Sequence, residues 1–216
     1  MTEPTALFTD FDGTISDDDF LWFVADRYFD QSALEPWNRY LRGEMTHLEA
    51  LNAIFSQIRL PENELLAFID TIRIDPEFAP VAELCRRKGI PVYIASAGCD
   101  YYINRLLGPV IAANNIRLVT NHGVYSPHTG LVMHPPADSP FYDPGVGISK
   151  AKVVDLLHEQ GYRVVMAGDG PPDFPAAEKA DEVFAKKILL EKCLQANIKT
   201  RTFNTFKDVY NFICEV

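Results

Sequence analysis

The sequence predicts an α/β protein built around a parallel sheet. Short apolar runs that suit buried strands alternate along the chain with amphipathic stretches that suit helices, and this alternation is typical of parallel sheets with right-handed crossovers. The alternation is interrupted once, directly after the first strand, by about sixty residues with only helical periodicity. We therefore predict a Rossmann-like, three-layer core at residues 1–16 and 81–216, with a small helical cap inserted at residues 17–80.

The predicted strands are short runs of apolar residues. The first lies at residues 6–9, and others follow at 90–95, 116–120, 163–167 and 183–185, of which the last is expected to end the sheet. Residues 124–125 and 131–133 flank a turn-rich stretch, which indicates a hairpin. Proline and glycine are frequent between residues 135 and 147, where we predict an irregular loop.

The predicted helices are marked by apolar residues at helical spacing and by capping residues. In the cap, this spacing covers residues 20–28, 48–55 and 61–69, and Thr46 with Glu49 makes a capping box. In the core, helices are predicted at 77–88, 149–157 and 205–213. The cap aromatics Trp22, Phe23, Trp37 and Tyr40 fit the interior of a helical bundle, and an apolar pocket is the alternative interpretation.

Composition excludes several classes of function. The 216 residues carry a net charge of −10, which argues against nucleic acid as a partner because nucleic-acid binding needs a basic face. No apolar run approaches the roughly 20 residues needed to cross a bilayer, and the first residues lack the pattern of a signal peptide. The four scattered cysteines are typical of reduced thiols. We expect a cytoplasmic protein without a membrane partner, and a homodimer is left open.

Polar residues follow three of the predicted strands at the point where each strand ends. They are Asp10 and Asp12 after the first strand, Ser96, Ala97 and Gly98 after the second, and Asp169 and Asp173 after the strand at 163–167. The carboxyl ends of parallel strands lie on one edge of a sheet, where ligands bind. Asp-Gly turns, a turn serine and helix-capping aspartates would each explain one of these runs. Their coincidence on one edge predicts a site.

Carboxylates gathered on one edge repel one another unless a cation joins them. Oxygen ligands without cysteine or histidine favour Mg²⁺, which also accepts a phosphate as a further ligand. Lys150, in the first turn of its helix, would add a positive charge beside that helix's N-terminus. Lys152 is a rival for this role, and a solvated lysine is the alternative. The hydroxyl of Ser96 and the backbone N–H groups of Ala97 and Gly98 could bind anionic oxygens.

With these motifs in this order, the chain resembles the haloacid dehalogenase superfamily. Residues 10–14 (Asp-Phe-Asp-Gly-Thr) match its first motif, Ser96 the second, Lys150 the third, and Asp169 with Asp173 the fourth. The resemblance implies a Mg²⁺-dependent phosphatase for a small-molecule phosphate ester. In that reaction Asp10 would be the nucleophile that forms an aspartyl-phosphate, and Asp12 would be the general acid and base.

The same resemblance implies how the ligands are held. Mg²⁺ would bind Asp10, Asp169 and the backbone carbonyl of Asp12, with Asp173 in support. Ser96 and Lys150 would hold the phosphoryl oxygens, where stabilisation of charge is the main catalytic task. These assignments follow from the superfamily pattern and are expectations for this chain.

Within the superfamily, the chain looks most like the phosphoserine-phosphatase-like branch. Inside that branch it resembles the methionine-salvage phosphatases that act on 2-hydroxy-3-keto-5-methylthiopentenyl 1-phosphate, because of Asp19, the pair Asn121-His122 and the short strand at 183–185. We expect Asp19 to contact the substrate, although phosphoserine phosphatases usually carry glutamate there. Phosphoserine, phosphocholine and phosphoethanolamine phosphatases are alternatives, as are a phosphomutase and an inactive binding module.

Overall fold

A computed structural model describes residues 3–216; Met1 and Thr2, which the predicted core includes, lie outside the described residues. The strands of the described part are β1 (Thr5–Thr9), β2 (Val92–Cys99), β3 (Arg117–Ser126), β4 (Gly130–His134), β5 (Tyr142–Asp143), β6 (Gly147–Ile148), β7 (Arg163–Gly168), β8 (Glu182–Ala185) and β9 (Thr200–Thr202). The helices are α1 (Phe20–Tyr28), α2 (Glu35–Leu41), α3 (His47–Phe55), α4 (Glu62–Ile69), α5 (Phe78–Lys88), α6 (Asp100–Asn114), α7 (Lys150–Glu159), α8 (Phe174–Ala177), α9 (Lys187–Gln195) and α10 (Phe206–Glu215). Within residues 3–216, none of them has the length and apolar character needed to cross a membrane.

Seven strands form one sheet in the order β4-β3-β2-β1-β7-β8-β9. All neighbours pair in parallel except β3 and β4, which form an antiparallel hairpin. Successive residues of the central strand β1 point to opposite faces. Leu7 therefore packs into one apolar cluster, while Ala6 and Phe8 pack into another, and all three are fully buried. The predicted α/β fold, with helices on both faces of a largely parallel sheet, is confirmed.

The structure differs from the predicted strands in three places. β9 lies beyond β8 at the edge of the sheet, so the expectation that residues 183–185 end the sheet is wrong. The residues of β9 are polar and largely exposed, so they form no apolar run. The strand predicted at 116–120 and the first arm of the hairpin are one continuous strand, β3. The loop at 135–147 is not wholly irregular, since β5 pairs with β6 there.

Three helices of the core, α6, α9 and the four-residue α8, have no counterpart among the predicted elements. Helix α6 contains Gly108 and Pro109 in its interior, and this pair interrupts the helical pattern. Helix α9 carries exposed apolar side chains, Ile188 and Leu194, in addition to buried ones. Its apolar residues therefore do not fall on a single face, and the helical period is weak.

Helices α1 to α4 occupy the insertion after β1. The two connections between the insertion and the core run side by side, because Ser16 and Ile74 form an antiparallel bridge and the N–H of Asp17 donates to the carbonyl of Arg73. The capping box of Thr46 and Glu49 is formed at the start of α3. The division into core and cap domains at residues 16, 17, 80 and 81 stays a prediction.

One side chain of the insertion completes the edge of the sheet. Asn52, on α3, donates from Nδ2 to the carbonyl of Met133 at 3.0 Å and accepts the N–H of the same residue at Oδ1 at 2.7 Å. Met133 lies on the edge strand β4 and its side chain is buried. Asn52 therefore satisfies backbone groups that a neighbouring strand would otherwise pair, and it fixes α3 relative to the sheet.

We expect Asn52→Ala to destabilise the protein. The substitution leaves a donor and an acceptor of Met133 without partners, which costs about 1–3 kcal/mol of the free energy of unfolding. Urea denaturation of the variant and the wild type measures this cost, and Asn104→Ala, an exposed position on α6, is the matched control. Equal stability of Asn52→Ala and the wild type would contradict the role assigned to this pair of hydrogen bonds.

Candidate active site

The carboxyl ends of β1, β2 and β7 bring the predicted site residues together. Asp10 follows β1 directly and Asp169 follows β7 directly. Ser96, Ala97 and Gly98 were expected beyond the end of the second strand, but β2 continues to Cys99 with a register shift against β3 between Ala95 and Cys99. These three residues therefore lie in an irregular part of β2 at the same edge of the sheet.

Asp10 lies against a buried lysine. The ammonium of Lys150 is 2.7 Å from Asp10 Oδ1 and 2.6 Å from Asp173 Oδ1, and Asp10 Oδ1 also accepts the N–H of Phe11. Burial raises the pKa of Asp10 well above its usual range, the charge of Asp173 raises it further, and Lys150 opposes both. Although burial disfavours the charged form of Lys150, the two carboxylates raise its pKa, so the lysine stays protonated.

The neighbouring lysine has a different partner. Lys152 donates to the backbone carbonyl of Tyr142 at 2.8 Å and lies on the exposed side of α7. Of the two candidates on this helix, only Lys150 contacts Asp10 within the part of the chain that the structure describes. The structure thus places the preferred residue at the site, and its catalytic role stays a prediction.

Asp12 has a polar environment in which no cationic side chain of residues 3–216 contacts it. Its Oδ2 accepts hydrogen bonds from the hydroxyls of Ser96 at 2.9 Å and Tyr102 at 2.8 Å, and its Oδ1 accepts the N–H of Phe20 at 3.2 Å. Burial raises the pKa of Asp12, and the hydrogen bonds from Tyr102 and Ser96 lower it in part. The sequence reasoning missed Tyr102, because it missed helix α6, on which this tyrosine lies.

Two glycines allow the close approach of these groups. Gly13 has a φ of +71°, and a Cβ atom there would lie 2.3 Å from Asp169 Oδ2. A Cβ atom on Gly98 would lie 1.6 Å from the hydroxyl oxygen of Tyr102. Any side chain at either position would displace a polar group of the site. The positions of the Asp169 carboxylate and of the Tyr102 hydroxyl therefore depend on glycine at residues 13 and 98.

Asp173 holds the loop after β7. It is fully buried, and its Oδ2 accepts the N–H groups of Asp169 and Gly170, both at 3.0 Å, while its Oδ1 faces Lys150. Both of its oxygens are therefore engaged by the protein, which fits a supporting position. The carboxylate of Asp169 is less enclosed and accepts from the hydroxyl of Thr14 at 3.2 Å.

A second lysine, which the sequence reasoning missed, contacts the acidic cluster. Lys187 Nζ lies 2.9 Å from Asp169 Oδ2 and 3.0 Å from the carbonyl oxygen of Gly13. It follows β8 closely, so the rule that functional groups collect at the carboxyl ends of parallel strands would have found it. Burial and the charge of Asp173 raise the pKa of Asp169, and Lys187 opposes them.

The acidic cluster suits a divalent cation. Asp10, Asp169 and Asp173 each offer one carboxylate oxygen, and these atoms lie within 4.8 Å of one another. The carboxylates of Asp10, Asp12, Asp169 and Asp173 outnumber the ammonium groups of Lys150 and Lys187 that contact the cluster. Because the donors are hard oxygen atoms and carry excess negative charge, they fit Mg²⁺.

A cavity of about 540 Å³ opens above the cluster. Its floor contains the predicted site residues except Asp173, which is fully buried behind it. Its walls include apolar and aromatic residues of the insertion, namely Leu21, Trp22, Trp37, Leu41, Leu51 and Phe55. Of the four aromatics that the sequence singled out, Trp22 and Trp37 line the cavity; Phe23 packs on Phe68, and Tyr40 packs on Trp37. No arginine lines the cavity among the described residues.

Asp19, expected to contact substrate, lines this cavity and also caps a helix. Its Oδ1 accepts the N–H of Leu21 at 2.7 Å at the start of α1. Burial and the nearby charge of Asp12 raise the pKa of Asp19 to about 7, while the N–H of Leu21 opposes this shift. The structure supplies a capping role for this residue, and its contact with a substrate stays a prediction.

A family model and curated relatives match most of the chain. The model described as haloacid dehalogenase-like hydrolase matches residues 7–178. A 2-hydroxy-3-keto-5-methylthiopentenyl-1-phosphate phosphatase of Bacillus cereus (strain B4264) is 27% identical over 205 residues, covering 94% of this chain and 93% of the relative. The phosphatase of the same name from Bacillus thuringiensis (strain Al Hakam) is 29% identical over 207 residues, covering 94% and 93%.

Solved structures share the fold. A phospho-aspartyl intermediate analogue of phosphoserine phosphatase superposes with a TM-score of 0.70 at 16% identity, covering 98% of this chain and 99% of that one. A phosphoserine phosphatase from T. onnurineus gives a TM-score of 0.67 at 19% identity, with 98% and 94% covered. The expected resemblance to this superfamily and to its phosphoserine-phosphatase-like branch is confirmed at the level of family and fold.

We expect Asp19→Asn to stabilise the metal-free protein at neutral pH. The folded-state pKa of about 7 exceeds the unfolded value of about 3.9, so stability falls as the pH rises between these values and the full penalty applies above the folded pKa. Asparagine keeps the helix cap but carries no charge. The gain in the free energy of unfolding should be largest near about pH 8 and should vanish near about pH 4.

Urea denaturation in EDTA at both pH values measures this effect. Asp18→Asn, at the exposed neighbouring position, is the control and should change stability little. An Asp19→Asn protein that is no more stable than the wild type at the higher pH would show that the ionised carboxylate is not destabilising.

Proposed function

The chain belongs to the haloacid dehalogenase-like hydrolase family, and we propose that it is a Mg²⁺-dependent phosphatase that hydrolyses a small-molecule phosphate ester through an aspartyl-phosphate. The observation that carries this proposal is the different environment of the two carboxylates after β1. Asp10 faces the buried ammonium of Lys150, whereas Asp12 is held by hydroxyl and amide donors. Carboxylates in different environments can take different roles in one reaction.

In the first step, a carboxylate oxygen of Asp10 forms a bond to phosphorus as the bond from phosphorus to the ester oxygen breaks. Asp12 donates a proton to the departing oxygen, and its raised pKa favours the protonated form that this step needs. In the second step, Asp12 takes a proton from water, whose oxygen attacks phosphorus and releases Asp10. Lys150, fixed beside Asp10, stabilises the charge on the transferring group.

The remaining site residues bind and orient. Asp10, Asp169 and the backbone carbonyl of Asp12 would hold Mg²⁺, and Asp173 would support them by holding the loop after β7. When bound, Mg²⁺ would neutralise the carboxylates and the phosphoryl oxygens. The hydroxyl of Ser96 and the N–H groups of Ala97 and Gly98 would bind phosphoryl oxygens, since all three residues line the cavity. In the free protein the N–H of Gly98 donates to Ser96 Oγ and the Ser96 hydroxyl donates to Asp12, so both donors would exchange partners on binding.

For the substrate, we favour the methylthiopentenyl phosphate named in the relatives. The apolar wall formed by Trp22, Trp37 and Leu51 suits an apolar tail such as a methylthio group. No arginine lines the cavity among the described residues, and the two lysines that line it, Lys150 and Lys187, are already paired with carboxylates of the acidic cluster. This disfavours phosphoserine, whose carboxylate needs a cationic partner of its own. The helices above the cavity would exclude water and large phosphoproteins, because lids of this kind enclose the reacting group.

Phosphocholine or phosphoethanolamine is the second candidate. Carboxylates of Asp17, Asp18 and Asp19 line the cavity together with Trp22 and Trp37. Aromatic faces and carboxylates bind ammonium groups, so a cationic leaving group would also find partners here. A cytoplasmic location, a homodimer and the lack of a nucleic-acid partner stay predictions.

We expect phosphate release from a panel of small phosphate monoesters to require Mg²⁺. Chelation by EDTA should abolish release, because the unneutralised carboxylates would repel the phosphate, and added Mg²⁺ should restore it. The panel should contain the methylthiopentenyl ester, phosphoserine and phosphocholine. The relative rates of phosphate release from these esters also rank the candidate substrates. Full activity after chelation would contradict the metal dependence, and recovery of an isomeric phosphate ester instead of inorganic phosphate would indicate a phosphomutase.

Asp10 and Asp12 should be distinguishable by substitution. Asp10→Asn removes the attacking carboxylate, so no phosphoenzyme should form. Asp12→Asn keeps the nucleophile and should slow hydrolysis of ordinary esters by about 10²–10⁴, the usual contribution of a general acid and base. An ester whose leaving group needs no proton should still label Asp10 in the Asp12→Asn enzyme. Peptide mapping locates the label, and phosphate trapped on Asp12 instead would reverse the two roles.

A further inference from the structure

A histidine of the insertion lies in the cavity with an unpartnered nitrogen. His47 is the first residue of α3 and is 8% exposed, and its Nδ1 is buried without a hydrogen-bond partner among the described residues. Burial without a partner carries a large desolvation cost, so folded proteins contain few such groups. Because Nδ1 has no accessible surface, the ring nitrogen that a ligand in the cavity can reach is Nε2, which has no hydrogen-bond partner among the described residues either and is therefore a candidate for a partner that the ligand supplies.

The ring of His47 is held in place by its neighbours. The rings of Trp37 and Tyr40 pack edge-on against it, at centroid distances of 5.6 and 5.3 Å. The backbone is fixed as well, because the N–H of Leu48 donates to the carbonyl of Gly145 at 3.0 Å. A ring constrained in this way loses little freedom on binding, which favours a specific contact.

His47 faces the ligand in its neutral form. Burial lowers its pKa to about 4, and the positive charge of Lys150 lowers it in the same direction. A neutral imidazole offers one N–H donor and one acceptor nitrogen, so it suits a hydroxyl or a carbonyl oxygen. It offers no charge that would pair with a carboxylate.

The position of His47 indicates which part of the ligand it reaches. His47 is buried, and hydrogen bonds tie the backbone beside it to the floor: Leu48 donates to the carbonyl of Gly145, and the carbonyls of the next residue, Val146, and of Ala97 both accept from Nδ2 of Asn121. In contrast, the cavity residues Trp22, Leu41 and Ile188 are 41%, 67% and 51% exposed, so they lie at the mouth. The buried ring is thus on the side of the phosphoryl-binding floor, and the exposed apolar residues surround the outer end.

We propose that His47 hydrogen-bonds an uncharged oxygen, a hydroxyl or a carbonyl, carried by the leaving group close to the ester, and so selects oxygenated phosphate esters over their deoxy analogues. This inference rests on the proposed phosphatase activity and assigns a specificity-determining residue to it. A deoxy ester would leave the nitrogen without a partner in the complex, and sites with unpaired buried polar groups discriminate strongly.

The test compares two esters that differ by a single hydroxyl, 2-hydroxypentyl phosphate and pentyl phosphate. We expect wild-type kcat/KM to favour the hydroxylated ester by about 10- to 100-fold. His47→Phe should reduce this ratio to near unity by lowering kcat/KM for the hydroxylated ester, with pentyl phosphate little affected. His47→Gln, which keeps a donor and an acceptor, should retain part of the preference. His128→Gln, an exposed histidine outside the cavity, should leave the ratio unchanged.

Binding without turnover separates this inference from the proposed function. The only tryptophans in the sequence, Trp22 and Trp37, both line the cavity, so tryptophan fluorescence reports binding there. The phosphonate analogues of the two esters cannot be hydrolysed and give the same comparison. Preferential binding of the hydroxylated phosphonate with no phosphate release from any ester would refute the phosphatase and support the role of His47. Phosphate release from both esters at equal kcat/KM would support the phosphatase and refute the role of His47.

Stability provides a further distinction. If His47 served only packing, His47→Phe would lower the free energy of unfolding, whereas removal of an unpartnered nitrogen should leave it unchanged or raise it. Where His47→Phe does not fold, a wild-type enzyme without the preference still overturns the inference, and His47→Gln tests the assignment to this residue. The inference is overturned by a wild-type enzyme without the preference, by a His47→Phe enzyme that keeps it, or by a clear preference for phosphocholine over the hydroxylated ester.

Discussion

The structure depends on the charge balance around the buried ammonium of Lys150. Parallel strands place the carboxylates of Asp10, Asp12 and Asp169 on one edge, where burial makes each costly to ionise. Lys150 contacts Asp10 and Asp173 at once, and so joins the first strand to the loop after β7. Removing Lys150 would leave both buried carboxylates without this counter-ion, which is more destabilising than the loss of a surface ion pair.

Several local features follow from that constraint. The loop after β7 gives two N–H groups to Asp173, because a buried carboxylate next to other carboxylates needs every donor within reach. The Tyr102 hydroxyl serves Asp12 in the same way, and Gly98 lacks a side chain so that this hydroxyl fits. The cluster nevertheless retains excess negative charge, since its four carboxylates outnumber the two ammonium groups that contact it.

The sequence predicts the fold and the floor of the site because both obey short-range rules. A buried strand is an apolar run, and a carboxylate directly after it must lie at the edge of the sheet, so Asp10 and Asp169 are predictable from spacing alone. Tyr102 and His47 obey no such rule. Tyr102 lies on a helix whose pattern is broken by Gly108 and Pro109, and His47 resembles any other polar residue at a helix start. Their positions depend on how the insertion packs over the sheet, which has no local signature.

The floor and the wall of the cavity share one physical property. Burial raises the pKa of Asp10, and His47 has a buried ring nitrogen without a hydrogen-bond partner among the described residues. Each polar group is therefore incompletely compensated in the free protein. With the proposed substrate and metal, the same complex would relieve both deficits, because a cation would neutralise the carboxylates of the floor and the leaving group would meet the wall. Binding energy at the wall is then available to position the ester over Asp10. In the proposed phosphatase, the insertion would therefore do more than cover the site, because the strength of its contacts with the leaving group would determine which esters reach Asp10 in a reactive position.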